Sequence, residues 1–420
     1  MMMSVHRFFQ FFEMAIVFVI VTMVLFPKLV GLSFALWILV LVLGLFSKNV
    51  VFVKPGKISM LIAAFFFAYL IGTAFTNNPD IALKYVEYKA SFLLIPGLFL
   101  FLPREKIRIE LFLNIFLVAV IILGIYSLWT VARSAYPNFS FSAITSTQFS
   151  TVHHPTYFSA YAFFAMLIGV KVIFEGSSSK KLWVWYGLVF YLIAIQLLCL
   201  SLAGLLFLFI FLGFLAIYLA KRKFGTKGFV VAIVMAPLLV LLVMRFVPGV
   251  MTQLQVSKLY ATEYLKDPSE FVRSHKTYIG GNETRLIMWT ASAQEIAEHP
   301  FGVGTGNVDD HLEARLISLG HLEMSKKMYN PHNQYLQTGL EIGMIGLGVL
   351  LAIIIVGILQ GIKTRNWLLV FIALSLGFNC LFESMLQRQS GIVFYTFWMV
   401  LVAIYFSKQE ATSAKTKILE

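Results

Sequence analysis

The stretch that decides the fold is residues 342–359, IGMIGLGVLLAIIIVGIL, which contain no charged side chain. A helix of this length, rising about 1.5 Å per residue, is close to the thickness of the hydrocarbon core of a bilayer. A helix also satisfies its own backbone hydrogen bonds, as a segment inside lipid must. The stretch therefore predicts a membrane-spanning helix, which we place at residues 334–361.

The composition extends this prediction to the whole chain. Of 420 residues, 59% are hydrophobic and only 13% are charged, and the mean hydropathy is +0.84. Soluble domains carry about 25% charged residues, so a soluble fold is excluded. The net charge of +13 does not indicate a nucleic-acid partner, because basic residues of membrane proteins collect on cytoplasmic loops. Membrane lipids are the expected surroundings.

Working outward from residues 342–359, similar apolar runs recur along almost the entire chain. We predict an all-α, polytopic membrane protein with about 12 transmembrane helices. They lie near residues 8–26, 29–46, 58–76, 81–102, 110–132, 155–174, 182–199, 203–220, 228–247, 334–361, 366–383 and 391–407. The parts of this single membrane domain are helices 1–9 (1–247), a long loop (248–333), and helices 10–12 with a tail (334–420).

The basic residues set the orientation. With the N-terminus inside, nineteen of the 33 Lys and Arg residues fall on the cytoplasmic side and five on the short outer loops. Both termini are therefore predicted to be cytoplasmic, and the long loop lies outside. Thr284 to Glu298 of that loop has Leu286, Trp289, Ala293 and Ile296 at helical spacing, which predicts an amphipathic helix.

A histidine at the junction of the loop and the tenth span is the sharpest local feature. In Asn330-Pro-His-Asn-Gln-Tyr-Leu-Gln337, Pro331 favours a helix start. His332 then lies at the membrane surface, where a neutral imidazole can accept a proton. Asn333 and Tyr335 add polar groups at the same end. The alternative is an interfacial polar cap without chemistry.

Other charged and aromatic residues form the remaining candidates. Arg285 can bind phosphate with two hydrogen bonds, and Trp289 can stack on a sugar ring or sit at the membrane interface. Glu383 and Arg388 are either functional, as ionisable residues at membrane depth commonly are, or an ion pair that joins two helices.

Metal and disulfide chemistry find no support in the spacing. His153 and His154 begin the sixth span, but adjacent helical residues diverge and no acidic or cysteine partner is near, so no metal site is predicted. Cys199 and Cys380 lie in apolar runs and are interpreted as packing residues.

The predicted topology places five of the candidate residues on the outer face: Lys89, His154, Arg285, His332 and Arg388. Cations that converge there with a histidine favour an anionic, phosphate-bearing, lipid-anchored substrate. This hypothesis requires that Arg285 and Arg388 lie on the same side of the helix bundle as His332. The candidate substrate-binding residues are Arg285, Arg388, Lys89, His154, Trp289, Asn333, Tyr335 and Glu383.

Three motifs resemble the signature region of the O-antigen ligase/polymerase superfamily. They are Glu283-Thr-Arg-Leu-Ile-Met-Trp289, Glu298-His-Pro-Phe-Gly-Val-Gly-Thr-Gly-Asn307 and Pro331-His-Asn-Gln-Tyr-Leu-Gln337 with the Glu and Gly residues that follow, and their order and spacing match. The resemblance covers about residues 283–390; elsewhere only the topology agrees.

This resemblance implies a cofactor-free, metal-independent, inverting glycosyltransferase of the bacterial inner membrane, with its active site facing the periplasm. The donor would be a glycan on undecaprenyl pyrophosphate, and the leading acceptor a lipid A–core. His332 would be the catalytic base, and Arg285 and Arg388 would neutralise the leaving pyrophosphate. One departure is Leu202, which stands where the family often has an arginine. One pyrophosphate contact would then either be missing or come from elsewhere, such as Lys89 or Arg133.

Polymerisation of repeat units and protein O-glycosylation are alternatives within the same superfamily. A transporter or flippase of lipid-linked sugars is an alternative of another class, and it would carry ionisable residues near the membrane midplane. Because spans such as 203–220 and 341–361 are expected to lack an interior ion pair, the enzyme is favoured.

Overall fold

The computed structural model describes residues 4–105, 107–137, 140, 142–176, 182–246, 250–275, 281–327 and 330–419. The described chain is mostly α-helical, and its one sheet pairs β1 (Val50–Phe52) antiparallel with β2 (Phe101–Pro103). The helices are α1 (Val5–Leu25), α2 (Val30–Phe46), α3 (Lys57–Gly72), α4 (Pro79–Lys89), α5 (Ser91–Leu98), α6 (Ile109–Ala135), α7 (Ser146–Phe149), α8 (Pro155–Phe174), α9 (Leu182–Cys199), α10 (Leu202–Phe246), α11 (Val250–Lys266), α12 (Pro268–Ser274), α13 (Asn282–Glu298), α14 (Val308–Ser318), α15 (Leu322–Ser325), α16 (Gln334–Lys363), α17 (Trp367–Asn379) and α18 (Gln389–Leu419).

Within the described residues, eight helical segments are long and apolar enough to cross a membrane. They are Val5–Leu25, Pro27–Phe46, Lys57–Phe75, Ile109–Ala135, Pro155–Phe174, Leu182–Cys199, Leu202–Met235 and Gln334–Lys363. Two shorter apolar helices, Trp367–Asn379 and Gln389–Tyr405, follow. The prediction of an all-α polytopic membrane protein therefore agrees with the structure, whereas the count of 12 spans remains a prediction.

Three predicted spans differ from the structure. Residues 81–102 do not form one helix, because α4 ends at Lys89 and a separate short helix, α5, carries Pro96 in its interior. Residues 203–220 and 228–247 lie in the single element α10, which is interrupted at Gly225 with φ +63°. The predicted boundary at 247/248 falls on residues 247–249, outside the described part of the chain.

Aromatic side chains fill the centre of the helical bundle. Phe116 of α6 lies 5.0 Å from Trp398 of α18, and Trp37 of α2 lies 4.9 Å from Phe99, measured between ring centroids. Edge-to-face pairs of this kind add to the gain from burying the rings. Cys199 and Cys380 are both buried with free thiols, in keeping with their interpretation as packing residues.

The helices α11 to α15 form a second, smaller core on one end of the bundle. The predicted helix at 284–298 is confirmed as α13, but its buried apolar face was misplaced. The structure buries Ile287, Met288 and Ala291, whereas Ala293 is exposed. The reason is that α13 packs against four helices, α11, α12, α14 and α16, so its buried face is not a single apolar stripe.

A glycine-rich segment, residues 299–307, fastens this second core to the bundle. The Val303 amide donates to the Leu340 carbonyl (2.7 Å), and the Met344 amide donates to the Pro300 carbonyl (2.9 Å). Gly302 has φ +88°, and a Cβ there would lie 2.6 Å from the backbone nitrogen of Gly343. Gly343 itself has φ +69° and interrupts α16. Only glycine allows both this conformation and this approach, so the segment fixes the loop helices against the start of α16.

Candidate functional site

The turn that carries His332 is held from three directions. The side chain of Asn333 caps α16 by accepting from the Leu336 amide (3.1 Å), as N-cap residues do. The indole Nε1 of Trp289 donates to the Pro331 carbonyl (2.8 Å), and the His332 amide donates to Oδ1 of Asn330 (2.9 Å). These contacts hold His332 at φ +47°, a backbone conformation that non-glycine residues seldom adopt. The position of the imidazole is therefore imposed by its surroundings.

His332 and Glu383 form a hydrogen-bonded pair. The Nδ1 atom of His332 lies 3.2 Å from Oε1 and 3.3 Å from Oε2 of Glu383. The Glu383 side chain is 9% exposed and that of His332 is 32% exposed. Among the described residues, Nε2 of His332 has no hydrogen-bond partner. An acceptor at Nδ1 keeps the proton there and leaves Nε2 as the free basic nitrogen.

The loop between α17 and α18 positions Glu383. The Ser384 amide donates to Oε1 of Glu383 (3.1 Å), and the Leu386 amide donates to the side chain of Gln334 (2.7 Å). Burial raises the pKa of Glu383, but the hydrogen bond from His332 and the positive charge of Arg285 lower it by more, so its pKa lies below the ordinary value. Glu383 is therefore ionised at neutral pH.

The structure places Arg285, Arg388 and His154 around this pair. His154 is close enough to interact electrostatically with Glu383, Arg388, His332 and Arg285. Both arginines and His332 therefore lie within electrostatic reach of the same residue, His154. Arg285 is partly buried and Arg388 is exposed. The alternative of a Glu383–Arg388 ion pair is wrong, because the ion-pair partner of Glu383 among the described residues is His332.

The two adjacent histidines have different roles. His153 is buried between the Val24 carbonyl, 2.9 Å from Nε2, and the Ser390 hydroxyl, 3.0 Å from Nδ1. It therefore ties α1, α8 and α18 together. Nδ1 of His154 is buried without a hydrogen-bond partner among the described residues. Burial, the largest effect, lowers the pKa of His154, so this imidazole is neutral at pH 7 and can only accept or donate a hydrogen bond.

Lys89 is buried and does not lie on the surface of the site. Its ammonium is fully buried, 3.5 Å from Oε1 of Glu341 and 2.9 Å from Oε1 of Gln387, over the ring of Tyr69. The expectation that 341–361 lacks an interior ion pair is wrong at its first residue, Glu341. A pyrophosphate contact from Lys89 would require breaking this pair, so Lys89 does not fit the place of the missing arginine.

Three other candidates use their polar atoms within the protein. Nδ2 of Asn333 donates to the Leu381 carbonyl (3.2 Å), and the Tyr335 hydroxyl donates to the Gly377 carbonyl (2.7 Å). With the Trp289 bond to Pro331, these contacts join the start of α16 to α13 and α17. We therefore interpret Asn333, Tyr335 and Trp289 as residues that position His332.

Sequence reasoning missed the two polar residues that contact the buried Lys89 side chain. Oε1 of Gln387 accepts a hydrogen bond from Lys89 (2.9 Å), and the Gln387 amide donates to Oε2 of Glu341 (2.9 Å). Gln387 lies between the candidates Glu383 and Arg388 in the sequence, and Glu341 follows the His332 motif on α16. A lysine inside an apolar segment is expected to pair with a carboxylate. Lys89 and Glu341 are 252 positions apart, however, so the sequence did not indicate which carboxylate it would be.

The assembled groups can perform a proton transfer next to a phosphate-bearing leaving group. A base with a free Nε2, an anion that stabilises its protonated form, and two guanidinium groups lie together at one end of the bundle. Such an arrangement combines general-base catalysis with neutralisation of developing negative charge.

Comparison with known proteins gives one family. Residues 187–351, which contain Arg285, His332 and Glu341, match the family model described as O-antigen ligase. No curated protein matches the chain significantly. The family and the apolar helices indicate a membrane-bound, glycosyltransferase-like enzyme of bacteria with O-antigen ligase-type function in the broad sense. The match over residues 187–351 supports membership of the chain in the O-antigen ligase/polymerase superfamily.

Proposed function

We propose that this protein transfers a glycan from undecaprenyl pyrophosphate to a lipid A–core acceptor at the periplasmic face of the bacterial inner membrane. The observation that carries the proposal is the His332–Glu383 pair with Arg285 and Arg388 beside it. The family match supports the class of reaction. The donor, the acceptor and the residue roles are our assignments.

In the proposed reaction, Nε2 of His332 removes the proton from an acceptor hydroxyl. The hydroxyl oxygen forms a bond to the anomeric carbon while the bond from that carbon to the pyrophosphate oxygen breaks. Attack opposite to the leaving group inverts the configuration at that carbon. Glu383 stabilises the imidazolium that forms, in the manner of the carboxylate in a catalytic triad.

The leaving undecaprenyl pyrophosphate takes the electron pair of the broken bond and gains negative charge. Arg285 and Arg388 are assigned to neutralise it, because a guanidinium binds phosphate oxygens with two parallel hydrogen bonds. Burial lowers the pKa of Arg285, but an arginine side chain stays protonated in proteins. The reaction as assigned needs no metal ion.

The proposed location follows from the distribution of charge. Both termini are assigned to the cytoplasm, because that side then receives most of the basic residues. The second core and His332 then face the periplasm, where lipid-linked glycan donors would reach them laterally through the membrane.

Polymerisation of repeat units and protein O-glycosylation are the alternatives within the superfamily. A lipid-linked sugar transporter is a further alternative. The buried Lys89–Glu341 pair is in its favour, because a transporter is expected to carry ionisable residues inside the membrane. We retain the enzyme because the base, the carboxylate and the arginines lie at one end of the bundle and not along a path through it.

Complementation of a deletion strain tests the proposal, with lipopolysaccharide resolved on a gel. We expect no glycan ladder from His332→Ala or Arg285→Ala. A full ladder from either variant would contradict the mechanism. In the deletion strain, bare core with accumulated lipid-linked glycan indicates a ligase. A single repeat on the core indicates a polymerase, and unchanged lipopolysaccharide with loss of glycosylated proteins indicates a protein glycosyltransferase.

A further inference from the structure

A cluster of two histidines and a carboxylate lies outside the proposed active site, where α13 ends and α14 begins. Glu295 and His299 are four residues apart, at the end of α13, and His311 is in the first turns of α14. Their ligand atoms all lie within 4.8 Å of one another. Oε2 of Glu295 is 3.0 Å from Nδ1 of His311 and 3.8 Å from Nε2 of His299.

These separations suit a metal ion. Two ligand atoms that are each about 2.1 Å from one tetrahedral zinc ion lie about 3.4 Å apart, which falls between the two measured distances. The set of two imidazole nitrogens and one carboxylate oxygen is one that zinc accepts, and imidazole nitrogens disfavour Mg²⁺ and Ca²⁺, which prefer oxygen ligands.

The surroundings of Glu295 resemble the outer shell of a metal site. Nε of Arg315 donates to Oε1 of Glu295 (2.6 Å), which leaves Oε2 directed at the histidines. A second nitrogen of Arg315 bonds to Glu298. A hydrogen-bonded, 6% exposed carboxylate is held in one orientation, as ligating carboxylates commonly are.

Access and a further coordination position are also present. The side chains of His299 and His311 are 43% and 33% exposed. Both line a cavity of about 220 Å³, with Asn77 and Asn307 on its wall. This cavity has room for a water molecule as a fourth ligand.

We propose that Glu295, His299 and His311 bind one divalent transition-metal ion of the zinc type, which fastens the end of α13 to α14. The ion lies next to the glycine-rich segment 299–307, which docks the loop on α16. Its role is to stabilise the helix that carries Arg285 and not to take part in glycan transfer.

Zinc titration tests this site in the full chain, purified in detergent without a histidine tag and stripped with a chelator. Against a competing chromogenic chelator, we expect one tightly bound zinc ion per chain. His299→Ala and His311→Ala should each weaken its binding at least about 100-fold. The matched control is His6→Ala, since His6 is exposed and bonds only to Gln10 among the described residues; it should bind zinc as the wild type does.

Thermal unfolding provides the second measurement. Zinc should raise the Tm of the wild type and of His6→Ala, because a ligand that binds only the folded state stabilises it. It should leave the Tm of the His299→Ala/His311→Ala double variant unchanged. The metal-free Tm of each variant shows that the variant is folded. If the double variant binds zinc as tightly as the wild type, or if the wild type binds none, the site is wrong.

Discussion

The indole Nε1 of Trp289 donates a 2.8 Å hydrogen bond to the carbonyl of Pro331, the residue that precedes His332. This bond joins the loop helix α13 to the turn that begins α16. Because Arg285 is on the same helix, one element fixes both the proposed base and a proposed phosphate contact. The loop helices therefore help to define the site and do not merely cover it.

Trp289→Phe tests this positioning. Phenylalanine keeps an aromatic face but cannot donate to Pro331, so the turn of His332 loses a bond worth about 1 kcal/mol. We expect kcat to fall about three- to tenfold with little change in the KM of either substrate. An unchanged kcat in Trp289→Phe, with a large rise in the acceptor KM in Trp289→Ala, would indicate sugar stacking instead.

Arg285→Ala and Arg285→Lys test charge neutralisation. Loss of one group that stabilises developing charge costs about 10²- to 10³-fold in rate, and we expect this for Arg285→Ala. Lysine restores the charge but not the paired geometry, so Arg285→Lys should recover only part of the activity. The control is Arg273→Ala, since Arg273 is exposed and paired with Glu270 in α12. Equal loss in the control would contradict a specific role.

The buried pair of Lys89 and Glu341 makes a prediction about stability. Lys89→Met leaves the Glu341 carboxylate buried without its partner, which should cost about 3–5 kcal/mol and lower the Tm in detergent. Lys89→Met/Glu341→Gln removes both charges and should recover much of that loss. Lys326→Met breaks the exposed pair with Glu323 and should have little effect. If the losses of stability in Lys89→Met and in Glu341→Gln simply add up in the double variant, Lys89 and Glu341 do not interact.

The burial of His153 makes the stability of the protein depend on pH. Burial lowers the pKa of His153 to about 4, with only a partial opposing effect from its bond to Val24, whereas an unfolded histidine titrates near 6.5. Between pH 4 and 6.5 the unfolded state binds more protons than the folded state does. The contribution of the neutral His153 to stability is therefore complete above about pH 6.5 and is lost as the pH falls toward 4. At pH 5 the loss is about 2 kcal/mol. We expect the fall in Tm from pH 7 to 5 to shrink in His153→Gln, and an equal fall in both proteins would contradict this.

Much of the fold follows from residue patterns in the sequence. The apolar run at 342–359 lies within α16, and the helical spacing at 284–298 corresponds to α13. The predicted buried face of α13 was wrong because four neighbouring helices determine which side chains are covered. The span predicted at 81–102 is wrong: its first half carries Lys84, Glu87 and Lys89, and the chain forms two short helices there.

The sequence motifs also predicted which residues belong to the candidate site, but they did not predict which of these residues contact each other. His332 and Glu383 were both identified, yet Glu383 was assigned to substrate or to Arg388. The partners are 51 positions apart, and no local periodicity relates them. The Lys89–Glu341 pair could not be predicted for the same reason. The contact of His311 with Glu295 and His299 was also not predicted, because His311 is on α14, whereas Glu295 and His299 are at the end of α13.

A double-mutant cycle on His332 and Glu383 tests the central claim most directly, by measuring glycan transfer from a lipid-linked donor in a purified system. If Glu383 acts through His332, then His332→Ala and Glu383→Gln each lower kcat, by about 10²- to 10⁴-fold for the loss of a general base. The double variant should then be no slower than His332→Ala alone. Full activity in His332→Ala, or losses that multiply in the double variant, would contradict a His332–Glu383 catalytic pair.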